Sequence, residues 1–240
     1  MNHPESTTIR ETIRSVLHRA RPDDGAILDD ATVDELVDEA ERSLYSGATE
    51  EELYDAVIQV LTARIERDPA YKRIAAGVFR QRYYREVIGE DLDGFDLDRA
   101  YRETFVENVH RGVERDILEH RMVEQFDLDA LAASLVPVRD ERFEYMALDT
   151  LYQRYFLKTA DDERLELPQA FWMRVAMGLA LDEDDPQVRA TEFYEALSKF
   201  EFTPSSPTLF HSGTTHPQLS SCYLTTIPDD LEGIFESYKS

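Results

Sequence analysis

The residues best suited to chemistry lie together near the end of the sequence. Between Thr203 and Leu224 the hydroxyls of Thr203, Ser205, Ser206, Thr208, Ser212, Thr214, Thr215, Ser220 and Ser221 lead to Cys222, the only cysteine. Charged side chains are sparse here, in a chain that is 32% charged. A polar, uncharged stretch broken by Pro204, Pro207 and Pro217 makes a poor amphipathic helix. It suits a loop that lines a cavity and offers short donors and acceptors to a ligand. Hydroxyls and neighbouring backbone N–H groups can hold phosphate without a large positive charge. A solitary cysteine is commonly an inert buried side chain, so a redox role for Cys222 must rest on its surroundings. His211, His216 and Cys222 fit no zinc-ligand spacing and supply one sulfur, so no metal site is expected.

The order of these residues carries a resemblance. Ser206-Pro-Thr-Leu-Phe210, Gly213-Thr214 and Pro217-Gln-Leu-Ser-Ser-Cys222 are similar to the large (α) subunit of ribonucleotide reductase. Leu44-Tyr-Ser-Gly47, Asp68-Pro-Ala-Tyr71 and Tyr155-Phe-Leu-Lys158 follow the order of that family's landmarks. The resemblance implies radical reduction of ribonucleotides to deoxyribonucleotides, the work of a ribonucleoside-diphosphate reductase, with triphosphate substrates left open. It implies that Cys222 is one of two redox thiols that reduce the ribose at its 2′ carbon and become a disulfide, a step that needs two electrons. The partner thiol and the thiyl-radical cysteine are not among these residues. Ser206 and Ser221 match positions that bind the substrate's phosphate and sugar. Asp230 matches an acidic residue that contacts the dNTP effector, and N-capping of the following helix is its alternative role.

For the whole enzyme the resemblance implies ATP and dNTP effectors, an α homodimer, the remainder of the α chain, and an external radical source. That source is either a small metal-radical subunit or adenosylcobalamin, and no cofactor is expected in this portion. Family members continue well past the equivalent of Ser240. The chain is therefore expected to be inactive alone, as a gene fragment, one piece of a split enzyme or an intein-interrupted precursor. The alternative from another class is a non-catalytic helical regulatory or interaction module, which would bind no nucleotide and keep Cys222 buried and unreactive.

The elements that must position this loop read as mainly α. Residues 1–90 carry helical stripes: Ile9, Ile13, Val16 and Leu17; Val33, Leu36, Val37 and Ala40; Leu53, Ala56, Val57, Val60 and Leu61; Ile74, Ala75, Val78 and Phe79. Thr32 with Glu35 and Thr49 with Glu52 are candidate capping boxes, and Asp68-Pro69 marks another start. The family's ATP-cone, an ATP/dATP-sensing module, resembles this region. Its usual basic, glycine-containing opening strand is missing here, and Glu50 and Tyr54 stand where polar nucleotide contacts are expected, so the cone reads as degenerate.

Gly89 to Gly94 reads as a link. Residues 91–200 form a helical N-terminal domain, with helices over 98–120, 127–135 and 145–152 and a small hairpin near 154–167. Helices from Pro168, with Phe171, Trp172, Val175 and Leu179 inward, and over 188–200 complete it. Tyr223-Leu-Thr-Thr-Ile227 alternates and reads as a strand. The resemblance implies that residues 201–240 begin the reductase barrel and that this strand is the first of a ten-stranded α/β barrel truncated here.

Composition bounds the partners. Fifty acidic against 26 basic residues leave a net charge of −24, and 22 of those 26 are arginine. Such an acidic, lysine-poor surface is read as adaptation to a high-salt cytoplasm. It offers no basic stripe for a nucleic-acid duplex. No secretory signal and no run of about eighteen apolar residues occurs, so a cytoplasmic, membrane-free protein is expected.

Overall fold

The computed structural model describes residues 6–20, 28–45, 47–89 and 96–239. The anticipated link beyond Gly89, and Ser46 of the 44–47 landmark, lie outside the described residues.

Helices α1 (Ser6–Arg19), α2 (Asp30–Ser43), α3 (Glu50–Thr62) and α4 (Ala70–Ile88) form the N-terminal group, and every apolar stripe anticipated there is buried. Burial of these faces is what stabilises helices of such length, since propensity alone is marginal. The capping box of α3 is present: Thr49 Oγ1 accepts the Glu52 N–H at 3.2 Å and Glu52 Oε2 accepts the Thr49 N–H at 2.7 Å. The box anticipated at Thr32 is not. Helix α2 starts one turn earlier, where the Asp29 carboxylate accepts the Thr32 N–H at 2.7 Å. An aspartate caps somewhat better than a threonine at this position, and the residues after it are helix-compatible. Hydrogen bonding from Thr32 also lowers the Asp29 carboxyl below its ordinary pKa.

Helix α5 (Leu97–Glu114) is shorter than the sequence indicates. Asp116 takes a left-handed conformation (φ 57°), and the Ile117 N–H turns back to the Gly112 carbonyl at 2.9 Å, closing the helix. Then come α6 (Arg121–Glu124), α7 (Leu128–Ser134), a 3-10 helix (Pro137–Arg142) and α8 (Tyr145–Arg154). The hairpin after α8 reduces to one antiparallel bridge, Lys158 to Arg164, around a turn in which Asp162 is left-handed (φ 68°).

Helix α9 (Pro168–Ala180) is buried on nearly every side, as its almost continuous apolar sequence requires, and lies along α10 (Pro186–Ser198). Trp172 is a core residue. Past α10, Phe200 adopts a left-handed conformation (φ 62°) that is rare for a bulky side chain. Its ring packs edge-on to Phe143 and Trp172, at centroid distances of 5.1 and 6.1 Å.

Two short helices, α11 (Ser206–His211) and α12 (Leu231–Ser237), close the chain. Among the described residues there is no strand, and the one anticipated at 223–227 is an extended, exposed segment, with Leu224 99% accessible. Alternating side chains make a strand only when a neighbouring strand pairs the backbone, and none does so here.

Candidate functional site

The hydroxyl-rich segment is held from its inner side by a buried ion pair. Arg174 of α9 is 1% exposed and meets Glu166 through Nε–Oε1 at 2.7 Å and Nη2–Oε2 at 3.2 Å. Its Nη1 donates to the carbonyls of Leu209 and Ser212, both at 2.9 Å, which caps the C-terminal end of α11. Glu166 Oε2 in turn accepts the Leu157 N–H at 2.8 Å. A guanidinium spreads its donors in a planar fork, so one side chain can serve a carboxylate and two carbonyls at once.

Small residues let the backbones approach. A Cβ on Gly178 would lie 2.1 Å from the Gly213 nitrogen, and Gly213 itself needs a positive φ of 77°. Ser212 donates to the Val175 carbonyl at 2.8 Å, while Thr215 N–H and Oγ1 donate to the carbonyls of Ile117 and Asp116 at 3.1 and 3.0 Å. Residues 206–215 are thereby bolted to α9 and to the turn after α5.

The candidate residues sit on the outer side of this anchored segment. Ser206 is exposed at the first turn of α11, its Oγ 3.1 Å from the Tyr155 hydroxyl. Thr208 is buried and bonds inward, to Ser205 Oγ at 3.3 Å and to the Leu219 carbonyl at 3.1 Å. That last bond draws the chain back beside α11 just before Ser221 and Cys222. Both of these are exposed, whereas a non-catalytic module was expected to bury the thiol. Asp230 stands apart: its carboxylate accepts the Gly233 N–H at 2.8 Å as the N-cap of α12. The structure thus ties residue 219 to α11 through Thr208, two residues before Ser221, and leaves Asp230 with a local capping bond.

His211 and His216 are exposed, and no group of three or more His, Cys, Asp or Glu among the described residues could hold a metal ion.

Sequence reasoning missed three contributors. Arg174 and Glu166 were legible as lone charges inside apolar runs, Trp-Met-Arg-Val-Ala and Leu-Glu-Leu, a pattern that requires pairing. Tyr155 was visible only as the first residue of the 155–158 landmark, with no hydrogen-bonding role attached to it. Deeper in the fold lies a second polar cluster. Asp140, fully buried, accepts from Tyr84 at 2.6 Å, Tyr101 at 3.0 Å and Gln169 Nε2 at 2.6 Å. Burial pushes its carboxyl up to about 6 against the opposing pull of those hydrogen bonds.

In the N-terminal group, a groove of about 330 Å³ between α3 and α4 is lined by Glu50, Glu51, Tyr54, Arg82, Arg85 and Glu86. Arg82 is bound by Glu51 at 2.5 Å and Asp55 at 2.7 Å, and Arg85 by Glu50 at 2.7 Å. Carboxylates of the chain occupy these arginines in the manner a phosphate would.

A family described as "Ribonucleotide reductase, all-alpha domain" matches residues 141–217. The chain is 44% identical over 201 residues to the ribonucleoside-diphosphate reductase subunit alpha of Chlamydia muridarum (strain MoPn / Nigg), covering 84% of this chain and 19% of that protein. It is 38% identical over 213 residues to the corresponding subunit of Helicobacter pylori (strain ATCC 700392 / 26695), covering 88% and 26%. Against the ribonucleoside-diphosphate reductase large subunit of Plasmodium falciparum (isolate Dd2) the identity is 30% over 215 residues, covering 85% and 25%. The chain spans about a fifth to a quarter of the length of these relatives.

Proposed function

We propose, from the premise that the chain belongs to the ribonucleotide reductase large-subunit family as an N-terminal portion of it, that residues 203–222 form one wall of the nucleotide-reduction site. The observation that carries this reading is the polarity of the anchored loop. Its inward hydroxyls, Thr208 and Ser212, are consumed by backbone carbonyls, while Ser206, Ser221 and Cys222 face outward.

In this reading Ser206 and Ser221 bind the phosphate and sugar of the substrate. Cys222 supplies one of two thiols. Their oxidation to a disulfide delivers two electrons and two protons, the 2′-hydroxyl leaves as water, and a hydrogen takes its place at the 2′ carbon. The second thiol and the radical that opens the reaction come from polypeptide outside these 240 residues, the radical arising from a metal-bearing partner subunit or adenosylcobalamin. Asp230 receives the effector's deoxyribose hydroxyl in addition to capping α12, and the wall is completed by the barrel of the α chain. The N-terminal helices are a cone whose anion groove is self-neutralised by Glu50 and Glu51, so ATP is not held there. The setting is a cytoplasm, and no helix among the described residues is long and apolar enough to cross a membrane.

The test is conversion of a ribonucleoside diphosphate by the complete reductase with a dithiol reductant. Cys222→Ser should abolish multiple turnover while leaving the circular dichroism unchanged, and the purified 240-residue chain should show none. Sustained turnover by the serine variant, or by the chain alone, would refute this assignment.

A further inference from the structure

We propose that Tyr155 is a positioning residue for the substrate phosphate, acting through Ser206; this rests on the reading of Ser206 given above. Tyr155 approaches α11 along one face and touches it twice. Its ring stacks on Phe210 at a centroid distance of 4.4 Å and an interplanar angle of 7°, and its hydroxyl lies 3.1 Å from Ser206 Oγ. Residues 206 and 210 are four apart and so share that helix face.

The tyrosine is itself held. Its N–H donates to the Leu151 carbonyl at 2.8 Å, and the next residue, Phe156, is buried against Phe171 and Tyr83 at centroid distances of 5.3 and 5.4 Å. The side chain is half-buried, with the hydroxyl end at the surface beside Ser206.

Hydrogen-bond chemistry gives the contact a direction. Either hydroxyl of the Tyr155–Ser206 pair can donate when the site is empty. A phosphate offers only acceptors, so Ser206 must turn its proton outward to bind one. Its oxygen is then left as an acceptor, and the phenol is the donor within reach. The result is a relay in which Tyr155 O–H donates to Ser206 Oγ and Ser206 O–H donates to a phosphate oxygen, each bond polarising the next. Phe210 fixes the ring so that the phenol oxygen already stands beside Ser206 before the ligand arrives.

Tyr155→Phe removes the oxygen and keeps the stack. In the complete reductase it should raise KM for the ribonucleoside diphosphate about three- to ten-fold, the range for one lost hydrogen bond, with kcat little changed. Ser206→Ala should do at least as much, and the double variant should be no worse than Ser206→Ala alone, because the phenol acts only through the serine. The thermal midpoint of the 240-residue chain should be the same with Tyr155→Phe, which separates positioning from stability. If Ser206→Ala raises KM but Tyr155→Phe does not, or if the two effects add, the role of Tyr155 is overturned and the reading of Ser206 stands. If Ser206→Ala leaves KM unaltered, both are overturned.

Discussion

Asp140 shows how much one side chain can set. It is fully buried, accepts three hydrogen bonds, and yet has its carboxyl pushed up to about 6, because desolvation outweighs them. A carboxyl whose folded pKa lies above its unfolded value of about 3.9 binds its proton more tightly when folded. The contribution of this group to stability is therefore fullest below about pH 4 and is lost as pH rises through about 6, about 3 kcal/mol in all. Asp140→Asn removes the titration, so the stability of the variant relative to the parent should climb between pH 4 and 7. Urea unfolding at several pH values checks this, and a constant difference across that range would contradict it.

The same residue marks a limit of sequence reading. An aspartate in Val-Arg-Asp-Glu-Arg looks like any solvated acid, because its tyrosine and glutamine partners come from positions 84, 101 and 169 and only the tertiary fold assembles them. Arg174 was more legible, since a lone cation in an apolar helix has few affordable fates. The motif residues Ser206, Ser221 and Cys222 were visible by kind and order, but nothing in their spacing tells which hydroxyls turn inward.

At the level of elements, helix existence followed from apolar periodicity, and the errors fell at ends and pairings. Helix α2 begins with Asp29 because a better cap precedes the anticipated one, and α5 stops at Glu114 because Asp116 takes the left-handed turn. The 223–227 stretch alternates properly but has no neighbour to pair with among the described residues, and pairing is not a property of one segment. The contact between α9 and the Ser212–Gly213 backbone yields a sharper expectation. Adding a methyl at Gly178 would place it 2.1 Å from the Gly213 nitrogen and 2.4 Å from Ser212 Oγ, both on the anchored segment. Gly178→Ala should cost about 1–3 kcal/mol of unfolding free energy. It should also raise hydrogen exchange at residues 206–214 more than in α1–α3. Unchanged exchange there would mean the loop does not depend on that approach.

For the whole molecule, charge is the dominant fact. Exposed pairs such as Arg10 with Asp38 and Arg99 with Glu103 contribute little and weaken further in salt. The unbalanced charge of −24 acts across the entire surface, and its self-repulsion is screened as the Debye length falls from about 10 Å at 0.1 M to about 3 Å at 1 M. Repulsion should win, so the thermal midpoint should rise steadily from 0.1 to 3 M KCl. A midpoint that drops with salt would show that the local pairs matter more.

Phe200 steers what comes after it. Glycine would take that reversed backbone geometry without penalty, yet the chain places there a partly exposed ring laid edge-on against Phe143 and Trp172. The heading with which the polypeptide departs toward Ser206 is therefore tied to those two aromatic contacts, much as a rudder post fixes a blade. Exchanging the ring for a hydrogen would ease the bend and cost the loop its aim.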